Sequence, residues 1–234
     1  MNDHTYFLII GRRGRNLDYL FKHGLNHRTL LREKLHWEER GYNLTQLHSY
    51  RSRSHDPAAF AAVFRPDAFS LDTQMKYGTG HLPEPYEKLV QMYYEKKFYP
   101  LSQTVLYNNK DEQFSFIFVK RQSDKVQTDF KHYYDLPMKR VSKLMMENAR
   151  TKFKLSYLNS YDIKGKYRFS AIFTNSTTAR GLLETSQPKE TASEIIISNL
   201  IDGIVPKFIA PWINEESQFR LMMYFQEESY PRVQ

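Results

Sequence analysis

One pattern occurs four times along this chain. A helix-like stretch leads into a short strand, a polar turn and a second strand. An aromatic opens each second strand, at Phe60, Phe114, Phe169 and Phe219, and Tyr6 takes the same place in a partial copy near the start. The intervals between these aromatics are 54, 54, 55 and 50 residues. A period this regular is the signature of repeated supersecondary units. It constrains the architecture more tightly than the function.

The spacing predicts four units. The first, 26–82, has a helix over 26–40 with Asn26 as its N-cap and Leu30, Leu31, Leu35 and Trp37 apolar. Gly41 ends that helix, and strands follow at 42–50 and 60–64. In the second unit, 83–135, Tyr86, Leu89, Val90, Tyr93 and Tyr94 make an amphipathic helical face behind Pro83 and Pro85. Its strands are 98–106 and 114–119, joined by the turn Asn108, Asn109, Lys110, Asp111. The third, 136–187, has a helix over 137–152 and a hairpin 153–173 turning at Lys164-Gly165, where glycine accepts positive φ. The fourth, 188–234, has a helix over 189–201 and strands 204–212 and 219–225. Residues 1–25 form a partial repeat strand, Tyr6 to Ile10, and a linker.

A strand pair and one helix cannot bury their apolar faces alone, so neighbouring units must share a core. The expected fold is α+β: four helix–strand–strand repeats in a single domain over 1–234. The hairpins are expected to pair edge to edge into a curved antiparallel sheet, a half-barrel of about eight or nine strands with helices on one face. Tyr6 to Ile10 is expected to protect an edge of that sheet.

The run Arg40-Gly41-Tyr42-Asn43-Leu44, then Tyr50, then Phe60-Ala61-Ala62-Val63-Phe64 resembles the bacterial tandem repeat family. Phe153-Lys154-Leu155, Tyr161 and Arg168-Phe169-Ser170-Ala171-Ile172-Phe173 carry the same resemblance in the third unit. Lys97-Phe98 and Gly203-Ile204 stand where the Gly-Tyr step falls in the other two units. Such repeats also form the N-terminal half-barrel domain of fungal polyglycine hydrolases. The resemblance implies a fold and no ligand. In those hydrolases a separate serine β-lactamase-like domain does the chemistry. Its Ser-x-x-Lys setting with partner motifs is missing here, so hydrolase activity is not carried over.

Composition removes several classes. The chain has no cysteine, which excludes disulfides and thiolate chemistry. No apolar run reaches the length of a membrane-spanning helix. The start has no signal-peptide form, so the chain reads as cytoplasmic, or as secreted if it is a processed fragment. Net charge is +8 and uneven: residues 1–55 carry +5, residues 56–183 carry +7 and residues 184–234 carry −4. Such asymmetry draws a polyanion to the basic part, or brings opposite ends together.

Candidate binding residues follow from this. Arg12, Arg13 and Arg15 lie in a glycine-flanked run suited to phosphates or carboxylates, with a solvated linker as the plainer reading. Arg51 and Arg53 sit at the first hairpin tip, where a contact would not disturb the core. Tyr50, Tyr161 and Trp212 are equivalent positions at strand ends and are candidate outward contacts, although repeated core packing explains them as well. Phe130-Lys131-His132-Tyr133-Tyr134 interleaves basic and aromatic residues, as single-strand nucleic-acid surfaces do, but aromatics covering a sheet edge are the simpler account. His23 and His27 lack a third ligand, so no metal site is expected. No cofactor motif and no nucleophile elbow occurs, and no catalytic residue is assigned.

These features predict a non-catalytic repeat module that binds a polymer or protein partner, a polyanion among the candidates, on its sheet surface or hairpin loops. A second expectation is a structural homo-oligomer joined through basic N-terminal and acidic C-terminal parts, with Glu215, Glu216, Glu227 and Glu228 as acidic partners. A third is an enzyme of unfamiliar type with its site in the concave face.

Overall fold

Every helix is preceded by a strand as well as followed by two. The computed structural model describes residues 20–51, 56–66, 72–108, 110–121, 128–175, 181–201, 204–213 and 218–227. The expected strand Tyr6 to Ile10 lies outside them. The first repeat runs β1 (Leu20–Leu25), α1 (His27–Glu38), β2 (Tyr42–Tyr50), β3 (Ala59–Pro66). The second is β4 (Thr73–His81), α2 (Pro83–Glu95), β5 (Tyr99–Tyr107), β6 (Glu112–Arg121). The third is β7 (Phe130–Leu136), α3 (Met138–Ala149), β8 (Lys154–Ile163), β9 (Lys166–Thr174). The fourth is β10 (Gly181–Pro188), α4 (Lys189–Ile201), β11 (Ile204–Ile213), β12 (Phe219–Glu227).

Each repeat makes its own three-stranded sheet, ordered β1-β3-β2, β4-β6-β5, β7-β9-β8 and β10-β12-β11. The last strand lies between the other two and is antiparallel to both. The strand before the helix and the strand after it are therefore parallel, split by the third. The hairpins expected from sequence are present, but among the described residues of each unit they do not pair edge to edge with one another. Each hairpin instead pairs through its last strand with the strand before its own helix. The aromatic-basic segment from Phe130 is one of these edge-covering strands, β7.

Local sequence explains the boundaries. Asn26 caps α1: its side chain accepts from the Thr29 N–H at 2.9 Å, and Thr29 Oγ1 accepts from the Asn26 N–H at 2.8 Å. That reciprocal pair satisfies two otherwise orphaned donors. α2 has no such side-chain cap and begins on Pro83, whose missing N–H costs nothing there. The β8–β9 turn is Lys164-Gly165, with φ of 52° and 80°, which are mirror-image turn conformations.

α1 and α2 leave through the same left-handed position, Gly41 at φ 79° and Lys97 at φ 65°. At Lys97 the bonds from Phe98 N–H to Tyr93 O and from Lys97 N–H to Tyr94 O, both 2.9 Å, make a Schellman motif. Lysine bears a steric cost there that glycine avoids. Lys97→Gly is expected to raise stability by about 0.5–1 kcal/mol, read from the urea midpoint. A lower midpoint would contradict this.

The chain divides into two units, Met1–Asp129 and Phe130–Gln234, each holding two repeats. In the first unit, Phe60, Ala62 and Phe64 of β3 join Leu30 of α1 and Leu44 and Leu47 of β2. Ile117 and Val119 of the second sheet belong to the same core, with Met75 and Tyr77 against it. Those four lie on the sheet face opposite Phe114, Phe116 and Phe118, as the strand registers require. Phe114, Phe116 and Phe118 face α2: Tyr86 stacks on Phe114 at 4.4 Å, and Tyr93 lies 5.1 Å from Phe118. The second sheet thus lays one face on the first repeat and the other on its own helix.

The second unit repeats the arrangement. Val141 and Leu144 of α3 pack with Leu155, Leu158, Phe169, Ala171 and Phe173 of their own sheet and with Ala210, Met222 and Tyr224 of the next. The other face of β12, Leu221, Met223 and Phe225, takes Ala192 of α4, with Ile195 and Ile196 against it. A middle strand buried on both faces needs a nearly continuous apolar run. The segments Phe114–Val119 and Leu221–Phe225 are such runs.

Candidate functional site

Arg12, Arg13, Arg15 and Arg53 lie outside the described residues. The structure places Tyr50 and Tyr161 in matching positions. The Tyr50 hydroxyl accepts from the Gly24 N–H at 2.9 Å, and the Tyr161 hydroxyl from the Asp135 N–H at 2.8 Å. Gly24 and Asp135 have φ of 68° and 50° and sit where the strand before the helix shifts register. Each tyrosine therefore pins a bulge, and the conformation bends the chain into the helix. Asp135 also accepts from Arg168 Nε at 2.8 Å. In the second repeat Leu106 takes the tyrosine's place, and Gly80, at φ 73°, makes the bulge. Trp212 pairs with Arg220 in the β11–β12 ladder, and Arg51 directly follows β2. The residues brought together within the first and third repeats are thus a strand-end tyrosine and a bulge.

A polar seam joins the two repeats of the first unit. His27 Nδ1 lies 2.7 Å from Thr79 Oγ1, and Ser49 Oγ lies 3.0 Å from Thr104 Oγ1. Between them is a cavity of ≈ 10 Å³, lined by His27, Ser49, Phe60, Gly80, Leu106 and Ser115. That is room for about one water molecule, not for a substrate. Nearby, Tyr86 donates to Gln103 Oε1 at 2.5 Å inside the sheet–helix core. Ser102, Gln103, Thr104 and Ser115 are all buried; Gln103 and Thr104 are held by the hydrogen bonds to Tyr86 and Ser49, whereas the Ser102 hydroxyl is buried without a partner among the described residues. Sequence reading missed this seam because its partners are 52 and 55 residues apart.

Two titratable groups near these features are shifted by burial. His81, tilted against Phe116 at 5.3 Å, has its imidazole pKa lowered because burial disfavours the cation. Asp162 beside the β8–β9 turn has its carboxyl raised by partial burial, opposed by a hydrogen bond from the Gly165 backbone. Both shifts have packing causes.

The exposed chemistry sits elsewhere. Lys110 at the β5–β6 turn and Lys164 and Lys166 at the β8–β9 turn are exposed cations. The β5–β6 turn is held by Asn108 Oδ1, which accepts from the Asp111 N–H at 2.8 Å and the Lys110 N–H at 3.1 Å. On the helices, Leu31, Leu35, Met146, Ile197 and Ile201 are exposed. Among the described residues no three His, Asp or Glu side chains are placed to hold a metal ion, and no helix is long and apolar enough to cross a membrane.

Residues 17–67 match the model of a family described as polyglycine hydrolase-like, structural repeat. That span contains β1, α1, β2 and β3, one whole repeat with its leading strand. No curated protein matches the chain.

Proposed function

From the structural repeat at residues 17–67, we propose that the chain is a non-catalytic repeat module that binds a polymer or protein partner at its hairpin loops. The observation that carries this reading is the double burial of the middle strands. Where both faces of a sheet are in the core, the surfaces left for a partner are the turns and helix flanks. The turns carry Lys110, Lys164 and Lys166, and the polar residues between repeats are spent on packing. The finer architecture belongs to the same proposal: a single domain over 1–234 in which four repeats form a half-barrel. The common strand–helix–strand–strand order of the repeats supports it.

The charge distribution favours a polyanionic partner, since residues 1–183 hold the whole positive excess. Arg12, Arg13 and Arg15 are the expected anchors, with Arg51 and Arg53 at the first hairpin tip. The test replaces Arg12, Arg13 and Arg15 together by serine and titrates heparin at several salt concentrations. Wild type is expected to bind with a steep salt dependence. The triple variant is expected to bind more weakly, its log–log salt slope shallower by about one for each arginine that pairs with the polyanion in the wild type. Unchanged binding in the variant would remove the arginine run from the site.

A further inference from the structure

The four helices hold equivalent places in their repeats, so their outward residues can be compared place by place. The second, sixth and ninth residues of each helix fall within about 60° of one another at 3.6 residues per turn, and so share one face. In α1 they are Arg28, Arg32 and Leu35. In α4 they are Glu190, Glu194 and Ile197. The two faces are therefore opposite in charge and alike in the aliphatic residue that follows. Both are open. Arg28, Arg32, Glu190 and Glu194 are exposed. Leu35 is 52% exposed and Ile197 is 58% exposed. Leu31 on α1 and Ile201, one turn beyond Ile197, are exposed as well.

The charges are not neutralised where they stand. Among the described residues, none of the four charged side chains makes an ion pair or a hydrogen bond. Two other carboxylates of α1 are engaged on its flanks, Glu33 with Lys22 at 3.6 Å and Glu38 with Lys34 at 2.6 Å. Glu39 closes the α1 face as the C-cap of the helix. Each like-charged pair is four residues apart, a spacing at which like charges repel. Arg28 also lies in the first turn, where the helix dipole disfavours a cation. α2 resolves the same two places internally, with Glu84 and Lys88 bridging one another at 2.6 Å. In α3 they are Lys139 and Lys143, and Lys143 lies 4.0 Å from Glu147 on its own helix. α1 and α4 instead each hold a doubled charge with no counter-ion among the described residues.

We propose that this face of α4 packs, parallel and in register, on the same face of α1 in a second copy of the chain. Arg28 then meets Glu190, Arg32 meets Glu194 and Leu35 meets Ile197, with Leu31 and Ile201 bordering the contact. The cross-chain pairs offset the repulsion within each helix, and exposed aliphatic side chains leave water. The two faces are different surfaces, so every chain carries both halves of the contact. One helix pair buries a small area, so the association is weak, and its exposed charge pairs make it sensitive to salt. The proposal goes beyond partner binding at the loops and does not depend on it.

Sedimentation velocity and light-scattering mass across a concentration series test it. Wild type is expected to exceed the monomer mass at high concentration and low salt, and to return to it as salt rises. Arg28→Glu/Arg32→Glu and Glu190→Arg/Glu194→Arg are each expected to stay monomeric with an unchanged circular dichroism spectrum. Arg28→Gln/Arg32→Gln, also expected to stay monomeric, serves where charge reversal disturbs α1. A chain carrying all four reversals has its charges exchanged between the two helices and is expected to associate again, a rescue that a folding defect would not give. Lys139→Glu/Lys143→Glu, on α3, is expected to associate as wild type does. A wild type monomeric throughout, an α1 or α4 double variant that associates as wild type does, a fourfold variant that stays monomeric, or loss of association in the α3 variant overturns the proposal.

Discussion

Phe116→Ala is expected to remove about 3–5 kcal/mol of stability. Phe116 is 1% exposed at the centre of β6. Its ring meets Phe118 at 5.3 Å, His81 at 5.3 Å, Tyr86 at 5.6 Å and Tyr93 at 6.1 Å. It thereby ties α2 to the middle strand of its sheet. Its ladder partner on β4 is Gly78, which has no side chain to fill the space a smaller residue would leave. The surrounding rings are large and few, so the site cannot close without moving α2, and the cavity cost adds to the lost transfer energy. Urea unfolding followed by circular dichroism reads the loss. A change below about 1 kcal/mol would mean that the ring cluster is not the centre of this repeat's core.

The second large effect comes from the same contact approached from the other side. A Cβ at Gly78 would lie 2.5 Å from Phe116 Cζ and 2.7 Å from His81 Nε2. Phe116 is buried among other rings, so its tip cannot swing aside freely. Gly78→Ala is therefore expected to cost about 1–3 kcal/mol, as overpacking does. The two sites should also be coupled. In Gly78→Ala/Phe116→Leu the smaller partner makes room for the methyl group, so the loss is expected to be less than the sum of the single losses. Strict additivity would show that the methyl group is accommodated elsewhere, and a neutral Gly78→Ala would show that the close approach is not maintained in solution.

The helices and hairpins were legible because their signals are local. Asn26 caps α1, Pro83 opens α2, and Lys164-Gly165 turns the third hairpin at the expected residues. β2 spans 42–50 as its sequence predicts. The strand before each helix was not legible. Gly24, Gly80 and Asp135 take left-handed conformations inside three of these strands, and the register shift interrupts the alternation that marks a strand. Separate sheets in place of one edge-paired sheet were signalled faintly, by runs such as Phe114-Ser115-Phe116-Ile117-Phe118-Val119. A sheet solvated on one face would alternate apolar with polar, whereas this run is buried throughout.

The candidate site was less legible than the fold. Tyr50 and Tyr161 repeat because each holds a bulge 26 residues earlier in the chain. Without the bulges, a repeated strand-end tyrosine reads equally as a ligand contact or as packing. The separation is the same in both repeats, and that equality is the one trace of the pin in the sequence. The seam of His27, Ser49, Thr79 and Thr104 left no trace, because it depends on how one repeat lies on the next.

The most direct measurement is equilibrium binding of heparin to the full chain over roughly a fourfold range of salt, with light-scattering mass recorded on the same samples. Binding by the basic loops predicts a complex of defined mass whose affinity falls steeply and log-linearly as salt rises. Failure to bind at the lowest salt, or an affinity insensitive to salt, would contradict the reading of this chain as a module for a polyanionic partner.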